Sequence, residues 1–329
     1  MAVDVHAHMV AVDFLDEVLE HPEAWPSVQF ERGEAGVRIK LPGEPWTRPI
    51  AKKLLDIEAR RDWMQKHGIH EQWVSGWMDL MGYGLSPEEG VLWSSLLNDT
   101  MAMAIKDHPE LVGLASLPLQ SPDHAARELG RAVEQLGFSG AMIATRVGER
   151  ELDDPALEPF WQQAEALKAP VILHPGFTGH EPRLKDYGLS NAVGRASETT
   201  LAVSRLLMAG VLARHPHLRL VLVHGGGFLP FQLGRIRRAY QLQHGAEAGD
   251  QLDRQLQQII YDSVLFEPAA LEYLVRVAGP DHVVLGSDYP FPIGDLDPTR
   301  VVFSAPLEDT ERQAIFAETA VRLKGGIRR

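Results

Sequence analysis

Eight short runs rich in β-branched and aliphatic residues recur along the chain. Longer stretches with apolar residues at three- and four-residue spacing separate them. The runs cover residues 3–8, 71–77, 111–117, 139–145, 170–174, 218–224, 258–265 and 282–288, and each reads as a strand. The stretches between them, such as 123–136, 159–167 and 198–213, read as amphipathic helices with Gly or Pro near their ends. Eight strands, each followed by a helix, predict an α/β protein built as a closed parallel (β/α)8 barrel rather than an open doubly wound sheet. One segment breaks the rhythm. Residues 21–49 contain near-alternation around two glycine-containing turns, which predicts a small β-hairpin inserted after the first strand, as decoration or as a lid. The expectation is one barrel domain over residues 1–329 with an insertion at about 21–49.

Composition narrows the function. The net charge is −13, from 32 basic and 45 acidic residues with no Lys/Arg run, so nucleic acid is not an expected partner. A small acid remains compatible, because a few arginines in a cleft dominate the local field. The absence of cysteine excludes disulfides, thiolate catalysis and thiolate metal sites, leaving histidine and carboxylate as metal ligands. The first residues, MAVDVHAH, carry neither a basic leader nor an apolar run, so no signal peptide is expected. No run approaches the roughly 18 apolar residues of a membrane span. The expectation is a cytoplasmic enzyme.

The chemistry-bearing residues fall at strand ends. His6 and His8 stand two apart at the end of the first run, where both imidazoles face the same way. His174 ends the fifth run, His224 the sixth and Asp288 the eighth. Barrel enzymes keep their reactive groups at this end of the strands. Three neutral imidazoles and one carboxylate suit a borderline divalent ion such as zinc, with a position left for water. The fourth run, SGAMIAT, offers no bridging lysine or glutamate, so one ion is expected rather than two. Five donors for one ion leave one of them with another role.

The motifs DVHAH (4–8), ARRDWMQKHGI (59–69), LGFSG (136–140), HP (174–175), ETT (198–200), HGGGFLPFQLGRI (224–236) and LGSDYPFPIG (285–294) together resemble the amidohydrolase superfamily. Within it the chain is similar to the aminocarboxymuconate-semialdehyde decarboxylase-like branch. The resemblance implies one divalent ion, zinc or manganese, held by His6, His8, His174 and Asp288. It implies His224 as general acid/base toward a water on the metal, with Asp288 counted beside it as catalytic. Arg60, or Arg61 if the register is off by one, would bind a substrate carboxylate. Arg235 would bind a second carboxylate from across a homodimer interface. The implied activity is non-oxidative decarboxylation of an unsaturated or aromatic carboxylic acid. The alternative is a hydrolase or hydratase of a related lactone, amide or unsaturated acid. Two positions depart from the family pattern: Gly176 stands where a tryptophan is usual, and Asn191 where an aromatic residue is usual. Both positions bear on where substrate packs.

Overall fold

Apolar side chains on both faces of a strand require cover on both faces, and a ring of strands inside a ring of helices supplies it. The computed structural model describes residues 1–176 and 181–326. Its strands are β1 (Ala2–Met9), β2 (Gln29–Gly33), β3 (Gly36–Lys40), β4 (Ile69–Gly76), β5 (Leu111–Gly113), β6 (Ala141–Ala144), β7 (Arg146–Val147), β8 (Arg150–Glu151), β9 (Val171–His174), β10 (Leu220–Leu222), β11 (Ile259–Asp262) and β12 (Val283–Val284). All residues of β1, β5, β6, β9, β10, β11 and β12 are buried.

Parallel ladders join β1, β4 and β5 in one group, and β6, β9, β10, β11 and β12 in another. Two seams close the ring. Ala115, just past β5, bridges Ala141 on β6, with Ala115 N–H donating to Gly140 O at 2.9 Å and Met142 N–H to Ala115 O at 3.1 Å. Asp4 and Ala7 on β1 bridge Leu285 and Tyr289 past β12, with Val5 N–H on Leu285 O at 2.9 Å and His8 N–H on Tyr289 O at 2.8 Å. The eight strands read from the sequence form the (β/α)8 barrel.

The helices Pro122–Glu134 and Glu158–Leu167 follow the sequence expectation within a few residues. The stretch 198–213 differs. It forms two helices, Arg195–Met208 and Val211–Arg214, because Gly210 takes φ 69° and turns the chain between them. The main core lies between strands and helices, with Leu129, Val133, Phe160 and Leu206 shielded completely from solvent.

The insertion is a hairpin, with β2 and β3 antiparallel in register from Gln29 opposite Lys40 to Gly33 opposite Gly36. Its Ile39 and the following Leu41 are buried in a second apolar cluster with Phe14, Trp25 and Trp93. Trp93 meets both other rings edge-on at 5.1 Å. This anchoring carries the return segment toward the barrel mouth, where Arg48 borders the cavity described next. Among the described residues no helix is long and apolar enough to cross a membrane.

Candidate metal centre

β1 delivers His6 and His8 to the barrel axis, and β9 delivers His174. The ring centroids of His6, His174 and His224 lie 5.2 Å from one another, and His8 lies 5.0 Å from His174. Asp288 Oδ1 is 3.2 Å from His8 Nε2 and 3.5 Å from His6 Nε2, and its Oδ2 is 3.5 Å from His224 Nε2. One donor atom each from His6, His174, His224 and Asp288 falls within 4.8 Å of all the others. Four of the five sequence-derived donors thus share one point, and His8 stands beside them, its Nε2 3.2 Å from Asp288 Oδ1.

The outer edges of three imidazoles are tied down. His6 Nδ1 meets Asp262 Oδ2 at 2.7 Å, His174 Nδ1 meets Pro175 O at 2.9 Å, and His8 Nδ1 lies 3.0 Å from Ser75 Oγ and 3.3 Å from Gly76 O. A carboxylate or carbonyl partner requires the proton on Nδ1, which leaves the Nε2 lone pair facing the centre. Nε2 of His6, His8 and His174 and Asp288 Oδ1 are buried without a hydrogen-bond partner. Each such atom costs about 1–3 kcal/mol when left alone. Four of them aimed at one point fit a divalent cation bound by nitrogen and oxygen.

Protonation states agree for His8, His174 and Asp288, whereas His6 is shifted toward its charged form and must give up a proton to a metal. Burial, then the neighbouring His8, His224 and His6, holds His174 well below the usual histidine range. Burial also lowers His8, against the pull of Asp288. For His6 burial opposes the charge, but the Asp262 bond and the nearby carboxylates outweigh it and raise the group. Burial alone would raise Asp288, yet His224, His8 and His6 hold it well below the usual carboxylate range. Neutral imidazoles and an ionised carboxylate are the forms that take a metal.

Asp288 and His224 sit on backbone that side-chain-bearing residues rarely adopt, with φ 58° and 55°. Such positions cost roughly 1–3 kcal/mol each and are retained where the surroundings enforce them. After His224 the glycines are obligatory. Gly225 has φ 60°, and a Cβ there would lie 2.3 Å from Leu265; Gly227 has φ 63°, and a Cβ would lie 2.3 Å from Ala196 O. Asp262 locks the turn, its Oδ1 accepting from Gly225 N–H at 2.8 Å and Val264 N–H at 3.1 Å while Oδ2 holds His6.

A cavity of about 330 Å³ opens above the cluster. His174, His224 and Asp288 form its floor, Trp77, Phe266 and Phe291 supply aromatic walls, and Arg48 and Arg195 stand at its side. His8 is completely shielded, whereas the His224 side chain keeps 21% exposure and faces the cavity.

Arg60 corrects an expectation. It is buried and does not border this cavity. Its Nη1 donates to Gln72 Oε1 at 2.6 Å and its Nη2 to His8 O at 2.5 Å, and its guanidinium carbon lies 4.7 Å from the Tyr289 ring centroid. Gln72 passes the connection to Asp4 Oδ2 at 2.7 Å, which also accepts from Ser287 Oγ at 2.6 Å. Burial pushes the Asp4 carboxyl up to about 6 and the Arg60 guanidinium down to about 10. The helix Ile57–Lys66 turns its Arg60–Met64 face inward, so Arg60 ties together the segments that carry His6, His8 and Asp288. Arg61 lies outside, paired with Glu110 at 2.6 Å and Glu58 at 3.1 Å. Arg235 is exposed on the helix Leu229–His244 and does not border its own chain's cavity.

Sequence reasoning missed Asp262, Arg48, Arg195 and Asp79. Asp262 lies inside the run 258–265 read from the sequence, and only the structure shows that β11 ends on it as β9 ends on His174. The other three stand outside the barrel strands, on segments whose periodicity says nothing about direction.

Comparison with known proteins bears on these residues. The family model described as "Amidohydrolase" matches residues 3–325. The 2-amino-3-carboxymuconate-6-semialdehyde decarboxylase of Dictyostelium discoideum is 28% identical, over 99% of this chain and 92% of its own. The gamma-resorcylate decarboxylase of Rhodococcus jostii is 34% identical over 60% of this chain and 64% of its own. Among solved structures, the 5-carboxyvanillate decarboxylase of Novosphingobium aromaticivorans, complexed with manganese and 4-hydroxy-3-methoxy-5-nitrobenzoic acid, superposes with a TM-score of 0.81 at 20% identity. That match covers 99% of this chain and 96% of the other.

Proposed function

This chain belongs to the amidohydrolase family, and from that premise we propose that it is a metal-dependent, non-oxidative decarboxylase of unsaturated or aromatic carboxylic acids. The observation that carries the reading is the convergence of unpartnered Nε2 atoms and one carboxylate oxygen beneath a cavity walled by aromatic rings. Both relatives compared above are decarboxylases by name. The whole of 1–329, insertion included, is taken as one catalytic unit. A cytoplasmic setting belongs to the same reading.

His6, His8, His174 and Asp288 would hold one ion, zinc or manganese. His8 is assigned as a ligand and His224 as the proton carrier because His8 has no exposure and His224 faces the cavity. When bound, the ion stabilises the negative charge that develops as carbon dioxide departs. Trp77 and Phe291 hold a planar acid and keep water from it. The carbon–carbon bond to the carboxylate breaks, and its electron pair forms a new carbon–hydrogen bond with the proton that His224 gives up. His224 then regains a proton from water. Asp288 Oδ2 lies 3.5 Å from His224 Nε2, close enough to orient the ring toward the cavity. Arg60 serves as a positioning residue through His8 O and Gln72.

The direct test is carbon dioxide release from a panel of dicarboxylic and phenolic acids by zinc- or manganese-loaded protein. Release from at least one acid is expected. Hydration or hydrolysis of panel members without carbon dioxide would replace this reading with the hydratase or hydrolase alternative.

Arg235 is proposed to complete a neighbouring subunit's site in a homodimer. The first turn of its helix carries Phe231, which is 78% exposed with its ring 6.3 Å from that of Tyr273, a surface suited to a second copy. Mixing Arg235→Ala with His224→Ala protomers should recover activity up to about one intact site per mixed dimer. No recovery, despite demonstrated subunit exchange, would leave Arg235 without this role.

A further inference from the structure

The far end of the barrel carries a second polar cavity, of about 390 Å³, which the reaction above does not use. Its walls come from the turns that lead into four neighbouring strands. Lys168 stands three residues before β9, Arg219 directly before β10, Gln257 two before β11 and His282 directly before β12. Arg322, on the helix Thr319–Gly325, closes the side. His174, His224 and Asp288 lie at or beyond the opposite ends of these strands, so the strand length separates this cavity from the metal centre.

Charge sets this cavity apart. Lys168, Arg219 and Arg322 face a single lining carboxylate, Asp281, which leaves a formal +2 with the histidines neutral. The cavity above the metal centre balances Arg48 and Arg195 against Asp79 and Asp288. On a chain of net charge −13, a positive hollow runs against the general field. Asp281 is already engaged, since Arg322 Nη2 donates to its Oδ1 and its backbone O, each at 3.2 Å. Lys168 Nζ has no ion-pair or hydrogen-bond partner among the described residues. Arg219 donates only from Nη1, to Leu218 O at 3.0 Å. Both side chains are half-buried, so their donors stand in the wall of the hollow rather than in bulk water. The nearby Glu165 borders the adjoining hollow and is held by His217 N–H at 2.9 Å and His215 Nδ1 at 3.1 Å.

The lining also defines the ligand. No Phe, Tyr or Trp borders this cavity, and Ile260 and Leu323 are its apolar side chains, so nothing stacks on a planar acid or base. A phosphate monoester carries about −1.5 to −2 charge near neutral pH and three strong acceptor oxygens. That charge complements the +2 lining, and a lysine beside an arginine is a donor set suited to phosphate oxygens. The volume lies in the range of small-molecule sites and leaves room beyond the phosphate itself.

We propose that this hollow at the far end of the barrel binds a small phosphate-bearing molecule, with Lys168 and Arg219 holding the phosphate. Calorimetric titration of the metal-loaded protein with inorganic phosphate and with glycerol 2-phosphate, in chloride at constant ionic strength, tests it. Saturable binding of at least one is expected. Tighter binding of the ester makes a phosphorylated metabolite the occupant, and equal or tighter binding of phosphate makes it the free anion. Arg219→Gln and Lys168→Asn should each weaken binding by about tenfold or more, as expected for one lost charge-assisted contact. Asparagine suits the second position because Lys168 has φ 52°, a conformation that asparagine tolerates. Neither residue touches the metal centre, so metal content should stay at the parent value in both variants. The proposal is overturned if neither probe binds the parent protein. It is equally overturned if the double variant binds as tightly as the parent, which would place the anion elsewhere, at the metal centre first. Should Arg219→Gln fail to fold, Lys168→Asn decides by the same criterion.

Discussion

His174→Ala is expected to come out with most of its divalent ion gone, against about one ion per chain in the parent protein, as read by elemental analysis. The imidazole Nε2 is buried and has no partner in the protein, so its only evident use is toward the centre. Its Nδ1 is already committed to Pro175 O, which fixes the ring and its tautomer. Removing an outer partner of a metal ligand typically costs about 10–100-fold in affinity, and removing the ligand itself should exceed that. Activity should fall with the ion. Full metal retention in His174→Ala would take this histidine out of the ligand set. Two tightly bound ions in the parent would overturn the single-ion reading.

His224→Ala should do the opposite: keep the ion and lose about 10²–10⁴ in kcat, the usual contribution of a positioned general acid/base. The distinction rests on placement. His8 lies wholly beneath the cavity, while His224 stands in its floor with part of the ring exposed. Its φ of 55° aims it there, enforced by the crowded glycines that follow. The competing outcome is specific. A donor atom of His224 lies within 4.8 Å of those of His6, His174 and Asp288. A metal-free His224→Ala protein would therefore make His224 a ligand and give His8 the remaining role.

The order of the barrel strands and most of the donors were legible before any coordinates. Strand–helix alternation is a local property, carried by which residues are apolar and how they are spaced. The two-residue step from His6 to His8 sends both rings the same way in any extended strand. A polar residue closing an apolar run marks the open end of a barrel, which identified His174, His224 and Asp288. The same rule passed over Asp262, because the seventh run reads on to residue 265 and only the structure ends its strand at Asp262.

The arginines followed a different logic, and there the tertiary structure decided. Arg60 lies in a motif that implied substrate binding, yet its helix docks with that face inward, against β1 and β4. Whether a helical arginine meets solvent, cavity or core depends on the rotation of the helix about its own axis, and packing sets that. Arg48 reaches the cavity because Ile39 and Leu41 anchor the insertion in a cluster with Phe14, Trp25 and Trp93, the last on a helix well beyond it in sequence. His6 and Asp262 meet across 256 positions of chain. Hydrophobic spacing thus determined which segments are strands and which end of each carries chemistry. Closure of the ring determined which side chains share a point, because contacts across a barrel depend on long-range packing that no local period encodes.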